Sequence, residues 1–580
     1  MKLPRLKWYE WSAIALAIAV RVAAVLSFLQ TDYAAHPLVD AYTYWGQAGD
    51  LFEGKDPFAE GLYQPPGYPY FLAQLAHLTG RPELAAVRWA QASLGVISSL
   101  LLMGLGRSLG SRVGVPWAGA VAVVLFSLYP TTLLFELDIL TPALTTALFL
   151  GAVATSWWGK RAILGVISGV LLGLAVVCHP TYLLAAVVLG GWVFTESRLR
   201  GVLLIAGLAA TLAPTTAKNL RDFDKLALVS HNAGINLYLG NNPGWRQTAF
   251  LRPGLPFRKL ALEADPASRD VSQRDAYWRQ RTVDEITDHP DAWAAALVTK
   301  AYWSVHNTEV PRNEDYRCRI EADPITWLGW LPVRYGLVFP LALIGLVSIR
   351  RRGEGRLLAG LWLTLHVPLI IFLVSDRYRL ATWPVLCLLA PLGMAAVGAV
   401  VSKWRQGTRP GLGWLLVLPV VVLPWLPTDP IIEKDPGWCL HVQGNLAYME
   451  KRLDEAMELY EASIALDADN ISAWNYIAAL HHRARRYPEA AAAMQHVINE
   501  FPDHFPSLRF MSQIQESLGD RVTAAMFMGR AYRVPGERTS SGIRYVKMLV
   551  AAGQVEEARA VLAADPELAG HPKLEGAVPD

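Results

Sequence analysis

Apolar runs of roughly 20 residues, separated by short basic connections, dominate the first 430 positions of the chain. A bilayer core of roughly 30 Å needs about 20 apolar residues per helix, and about 17 at minimum. Eleven runs qualify by this measure, near 11–29, 85–106, 114–131, 139–158, 162–178, 181–195, 201–217, 331–349, 357–374, 380–401 and 411–427, the sixth being short. The fifth and sixth meet at His179-Pro180, where proline disfavours helix at the residue before it. Lys2, Arg5 and Lys7 precede the first run as in a signal peptide. No small-residue cleavage site follows, however, and Arg21 and Gln30 interrupt its end, so it reads as an uncleaved first helix. The pattern predicts an all-α polytopic membrane protein with about eleven spans.

Basic residues orient this map. With the N-terminus in the cytoplasm, every short inside loop is basic: Arg107 and Arg112, Lys160 and Arg161, Arg198 and Arg200, Arg350 to Arg352 with Arg356, and Lys403, Arg405 and Arg409. The short outside loops are poor in Lys and Arg, except at Arg377 and Arg379. Eleven spans then place the C-terminus outside, together with three long polar segments, 30–84, 218–330 and 428–580. The expected location is a bacterial inner membrane.

The last polar segment repeats. Ala456, Ala490, Ala524 and Ala558 recur every 34 residues, as do Leu440, Trp474 and Leu508. Tyr460 and Met494 each follow one of those alanines by four. A 34-residue period, and the run from Gly444 to Asn470 in particular, resemble tetratricopeptide repeats, with three good units and one degenerate terminal one. Such helix pairs bury their apolar faces only by stacking on neighbours. The expected domains are a membrane domain over 1–430 and an extracytoplasmic repeat domain over 431–580.

Composition agrees with the pattern and adds exclusions. The chain has 580 residues, of which 53% are hydrophobic and 18% charged, as in membrane proteins. Its net charge of +3 gives no reason to expect a nucleic-acid partner. Four scattered cysteines contain no CxxC pair, which argues against a zinc site or a disulfide scaffold. Cys318 and Cys439 fall on the same side of the membrane, where a bridge between them is open.

Candidate chemistry gathers at the outside edges. Asp40 lies in DAYTYW, about ten residues after the first span, and a carboxylate there can accept a proton from a hydroxyl nucleophile. A solvated loop acid is the plainer reading. Against it stand Tyr42, Tyr44 and Trp45, whose flat faces suit a sugar or lipid, and the QPPGYP turn with Gln64 and Tyr68. Glu136 and Asp138 border the third and fourth spans. Acids beside apolar runs are costly unless they face a cavity or a partner, so they read either as exposed loop acids or as acceptor-binding groups. Arg377 and Arg379 flank Tyr378, and arginine grips phosphate in a bidentate fork; a lipid-headgroup anchor, or an ion pair with Asp376, is the plainer alternative. His179, Lys218 and Lys300 sit at the same depth and are weaker phosphate candidates. Asn241-Asn242-Pro243 reads as a turn, or as a sugar contact. Walker, HExxH, GxSxG and dinucleotide motifs are absent from the sequence.

Taken in order, these pieces resemble the GT-C glycosyltransferases, and among them the bacterial relatives of protein O-mannosyltransferases and of the aminoarabinose transferase. The likeness covers about residues 10–400. The acid-aromatic loop followed by PPxYP is similar to that family's first outside loop. GLAVVCHPTYLL resembles GLAxLxRPxxLL, with His179 where arginine is usual. AKNLRDFDKLALVSHNAGINLYLGNNP resembles RNYxxFGxxVxVSxxxGxNLYxGNNP. DRYRLATWP resembles RYRLPxxP, with Thr382-Trp383 in place of Leu-Pro.

The resemblance implies a GT-C bundle. It implies transfer of a sugar from a polyprenyl phosphate to an acceptor hydroxyl on the outside face, with inversion. By it Asp40 is the general base, and Arg377 and Arg379 hold the leaving phosphate. Tyr42, Gln64, Tyr68, Glu136, Asp138, His179, Asn241, Asn242, Lys300 and Tyr378 become candidate substrate contacts. The family's members differ in their use of a divalent metal, and no ligand set stands out here. A protein or peptide acceptor held by the repeats is the expected partner, with a lipid or glycan acceptor, or a non-catalytic scaffold or transporter, as alternatives.

Overall fold

The computed structural model describes residues 6–264, 270–322, 324–407, 417–534 and 538–579, and these are helical throughout with no strand among them. The chain divides into two compact units. The first comprises residues 1–251 and 270–434, the second residues 252–269 and 435–580. The second unit therefore takes a segment from the middle long polar stretch as well as the repeats.

The first unit opens with α1 (Trp8–Phe28), α2 (Val39–Phe52), α3 (Gly67–Thr79) and α4 (Leu84–Val113). Next come α5 (Ala118–Ser127) and α6 (Pro130–Leu137), then α7 (Pro142–Trp158), α8 (Ile163–Cys178), α9 (Tyr182–Glu196) and α10 (Arg198–Phe223). Among the described residues five helices are long and apolar enough to cross a membrane, and the bent pair α5–α6 makes a sixth. Helices of 15 to 17 residues, such as α7, α8 and α9, are about 22–26 Å long and fall short of a full bilayer core. The expected span at 411–427 lies partly outside the described residues, with helix from Val417 to Val422.

The bend between α5 and α6 is 59°. Pro130 causes it, because proline lacks an N–H to continue the helix and disfavours helix at Tyr129 before it. The chain thus folds inward instead of leaving the bundle. Glu136 and Asp138, which on one reading were exposed loop acids, lie instead on a wholly buried element.

Glu136 is held by Arg21 of α1. The guanidinium donates from Nε at 2.7 Å and from Nη2 at 2.9 Å to the two carboxylate oxygens, while Nη1 reaches the Ala17 carbonyl and Ser127 Oγ, both at 3.1 Å. Gly95 of α4 passes close behind, and a Cβ there would overlap both Arg21 and Glu136. Elsewhere small residues let backbones touch, as is common where lipid offers no hydrophobic drive for helices to associate. Gly165, Gly169 and Gly173 of α8 face Arg200, Leu204 and Thr211 of α10. Gly345 and Gly393 do the same between helices Tyr335–Ile349 and Trp383–Arg405.

In the second unit, helix pairs Pro436–Met449 with Leu453–Leu466, Ile471–Arg483 with Tyr487–Glu500, Phe505–Leu518 with Arg521–Tyr532, and Arg538–Ala551 with Val555–Ala564 follow the 34-residue period. Ala456, Ala490, Ala524 and Ala558 are each fully buried, as are Tyr460, Met494 and Leu508. Within this unit Arg252 pairs with Asp435 and lies over Trp438, and Lys259 lies over Phe501. Cys178 and Cys387 are buried free thiols.

Replacing Arg21 by leucine leaves Glu136 buried without its partner, a change that costs about 3–5 kcal/mol in comparable pairs. Arg21→Leu is expected to melt well below wild type in detergent, with much of the loss recovered by adding Glu136→Leu. Equal melting of the single variant and wild type would show that the pair does not hold these helices.

Candidate functional site

Asp40 stands on the first turn of α2, and the residue before it is strained. Val39 has φ +48, a left-handed conformation that a β-branched side chain rarely adopts. Such strain costs on the order of 1–3 kcal/mol and persists only where surrounding contacts enforce it. Here Leu38, Val39, Asp40 and Ala41 form one wall of a cleft of about 330 Å³, part of it open to solvent. Phe135, Asp138 and Leu140 come from the end of α6 and beyond, Arg312 to Glu314 and Tyr316 from the middle loop, and Asp376 and Arg377 from the turn before the helix at Trp383.

Arg377 crosses the cleft to Asp40. Its Nη1 donates to Asp40 Oδ2 at 2.5 Å, with the two side chains 10% and 25% exposed. The other carboxylate oxygen meets Gln64 Nε2 at 3.5 Å. Tyr44 Oη lies 3.5 Å from Arg377 Nη2, and burial pushes that phenol up to about 12 against the opposing pull of Arg377. A carboxylate, a cation and an amide therefore converge, the cation from 337 positions along the chain.

A second charge cluster forms the floor. Arg319 serves two carboxylates, pairing with Glu314 and approaching Asp138 Oδ2 at 3.3 Å, while Tyr316 Oη donates to the same Asp138 oxygen at 2.9 Å. Two acids share one guanidinium away from water. Burial, with Asp138 nearby and only partly offset by Arg319, pushes the Glu314 carboxyl up to about 7. Among the described residues no three His, Cys, Asp or Glu side chains are grouped to hold a metal ion.

The remaining candidates separate. Tyr378 and His179 are near neighbours, their rings edge-to-face at 5.3 Å beside the cleft. Tyr42 is 69% exposed, off the cleft wall. Tyr68 is buried and donates to Gln91 Oε1 at 2.5 Å, a packing bond between α3 and α4. Glu136 is committed to Arg21. Arg379 is committed too, donating to Glu309 Oε2 at 2.5 Å and to the His306 carbonyl at 2.6 Å and stacking on Tyr335. It does not reach the cleft with Arg377. Lys218 pairs with Asp222 and Asp56.

Lys300, Asn241 and Asn242 form a clasp of their own. The Lys300 ammonium donates to the Gly240 carbonyl at 2.9 Å and Asn241 Oδ1 at 3.2 Å, with the Ile371 and Phe372 carbonyls at 3.4 Å. Burial pushes it down to about 7. Asn241 Nδ2 donates to the Leu237 and Ile371 carbonyls, and Asn242 Nδ2 to Tyr238 O and Thr248 Oγ1. These groups satisfy helix-end carbonyls and hold the turn, so none is left facing the cleft.

Sequence reasoning passed over Arg312, Glu314, Tyr316 and Arg319. The available signal was the density of acids and arginines in PRNEDYRCR, just ahead of an apolar run.

A tetratricopeptide-repeat family model matches residues 447–514. No curated protein matches the chain. Among solved structures, the archaeal oligosaccharyltransferase AglB from Archaeoglobus fulgidus, in complex with an inhibitory peptide and a dolichol-phosphate, aligns at TM-score 0.42 and 14% identity, over 77% of this chain and 59% of that one. Its apo form gives 0.42 and 15%, with the same coverage. MamA from Desulfovibrio magneticus RS-1 aligns at TM-score 0.21 and 13% identity, over 30% of this chain and 93% of that one. At these scores the likenesses carry no argument about fold or activity. The repeat match describes the second unit, and the first unit stands on its own geometry.

Two outcomes check this site. Glycine takes a left-handed conformation without steric cost, so Val39→Gly is expected to melt no lower than wild type, and a clear drop would show that Val39 is unstrained. Glu314 binds its proton more tightly folded than unfolded, so its contribution is full below about 4.5 and is lost as pH rises through about 7. Stability of wild type relative to Glu314→Gln should therefore fall between those values and level off above; a flat difference would contradict the raised carboxyl.

Proposed function

We propose that the chain is an integral membrane glycosyltransferase of the GT-C type, moving a sugar from a polyprenyl phosphate to an acceptor hydroxyl on the extracytoplasmic face. The observation that carries this reading is the meeting of Asp40 and Arg377, 337 positions apart, in one cleft of a unit built from apolar helices. A carboxylate and a guanidinium are the pair such a reaction needs: one group to take a proton, one to hold a phosphate.

In this mechanism Asp40 accepts the acceptor hydroxyl's proton as that oxygen bonds to the sugar's anomeric carbon. The bond from that carbon to the phosphate oxygen breaks, its electron pair leaves with the lipid phosphate, and configuration inverts. Arg377 stabilises the charge growing on the leaving oxygen. Arg379 supports this indirectly, since its bonds to Glu309 and His306 fix the turn that carries Arg377. Asp138 and Glu314 line the opposite wall, where an acceptor's hydroxyl groups would find hydrogen-bond partners. The tetratricopeptide repeats favour a polypeptide acceptor, because stacked helix pairs offer an extended binding surface.

Membranes carrying the wild-type protein should transfer label from polyprenyl-phosphate sugars, and Asp40→Asn should lower the rate by about 10²–10⁴, the range for loss of a general base. Unchanged transfer by Asp40→Asn would remove the base assignment. A well-folded wild-type protein that transfers from no donor would leave a non-catalytic membrane scaffold.

A further inference from the structure

The contact that joins the two reactive groups also blocks them. Asp40 Oδ2, bound at 2.5 Å by Arg377 Nη1, is engaged where a general base must be free. Arg377 is only partly used by this contact. Its Nε is buried with no acceptor among the described residues, and its Nη2 has only Tyr44 Oη, at 3.5 Å. The Nε–Nη2 edge is the edge with which a guanidinium grips two oxygens of one phosphate. A buried donor left without an acceptor is unfavourable, and an arriving phosphate oxygen removes that cost.

The geometry points to a ligand-released latch: with no donor bound, Arg377 holds Asp40, and binding of the donor's phosphate draws the guanidinium away and frees the carboxylate to act as base. This rests on the transferase reading and adds an order to it, since deprotonation of the acceptor waits for the donor. Two features allow the exchange. Asp40, a quarter exposed, keeps contact with water when the bond opens, and the arriving phosphate takes over the charge of the more buried Arg377. Gln64 lies 3.5 Å from the other oxygen of Asp40, and Val39 fixes the backbone, so the carboxylate stays in place when Arg377 leaves. Arg379 also has a buried Nε without an acceptor, but both its Nη groups are engaged, by the His306 carbonyl and by Glu309, so no free edge is offered to a phosphate.

The latch makes phosphate binding compete with the Asp40–Arg377 bond, and a double-mutant cycle reads that competition. The probe is polyprenyl monophosphate without sugar, titrated into the purified full-length protein in lipid nanodiscs. Wild type, Asp40→Asn, Arg377→Gln and the double variant are compared, with melting curves to establish folding. Asp40→Asn should bind the lipid phosphate about tenfold more tightly than wild type. In the Arg377→Gln background the same change should alter affinity less than twofold. Equal tightening in both backgrounds would mean that Asp40 acts only by charge repulsion, and would overturn the latch. So would no tightening by Asp40→Asn while wild type binds. Binding by no folded variant, wild type included, would overturn the lipid-phosphate donor and the latch with it.

Discussion

The bidentate bond between Arg21 and Glu136 is the constraint on which the first unit's arrangement rests. Both charges are buried, and an ion pair there is tolerable only when each lone pair and each N–H is satisfied. That requirement fixes α1 against α6, demands a glycine at position 95 of α4, and recruits Ser127 just ahead of the bend. From there the bonding continues outward. Gln91 of α4 donates to the carbonyls of Glu136 and Asp138, and Arg88 donates to that of Leu137. The short segment after the Pro130 bend is thereby tied along its length. Asp138, at its end, is delivered to Arg319 and Tyr316 at the cleft floor.

The cleft itself is an economy of charge. Each arginine that approaches it is shared or contested: Arg319 between Asp138 and Glu314, Arg377 between Asp40 and its own unfilled edge. Arg379 gives both its Nη groups to fixing the turn that carries Arg377. Neighbouring arginines of one short motif thus have different work, decided by what their side chains can reach. A raised Glu314 follows from the same shortage, because one guanidinium cannot fully compensate two carboxylates away from water.

Periodicity along the sequence was sufficient to read the helical class, the membrane character and the repeats. Those features are local, and Ala456 or Tyr460 lies in the core for the reason its spacing indicates. The sequence also drew notice to Asp40, Asp138 and Arg377, which the structure brings to one cleft, because an acid or an arginine beside an apolar run is conspicuous. Their neighbours were not. Glu136 and Asp138 look alike in FELD, and only the bend at Pro130 turns one toward Arg21 and the other toward the cleft. Lys300 looked like a phosphate ligand because its carbonyl partners, at Gly240, Ile371 and Phe372, are set by tertiary contact. Arg312, Glu314 and Arg319 lie in an ordinary polar loop until folding buries them. The left-handed backbone at Val39 leaves no mark in composition at all.

The membership of residues 252–269 in the repeat-bearing unit has a bearing on how such a protein could be rebuilt. A chain cut at position 434 would strand the helix Leu255–Leu262, with Arg252 and Lys259 parted from Asp435, Trp438 and Phe501. Recombination, whether in a genome or at the bench, would have to move two separate stretches of gene to exchange the repeats cleanly. The C-terminal array is therefore not a detachable cassette, and chimeras joined at a single point would inherit an unmatched surface.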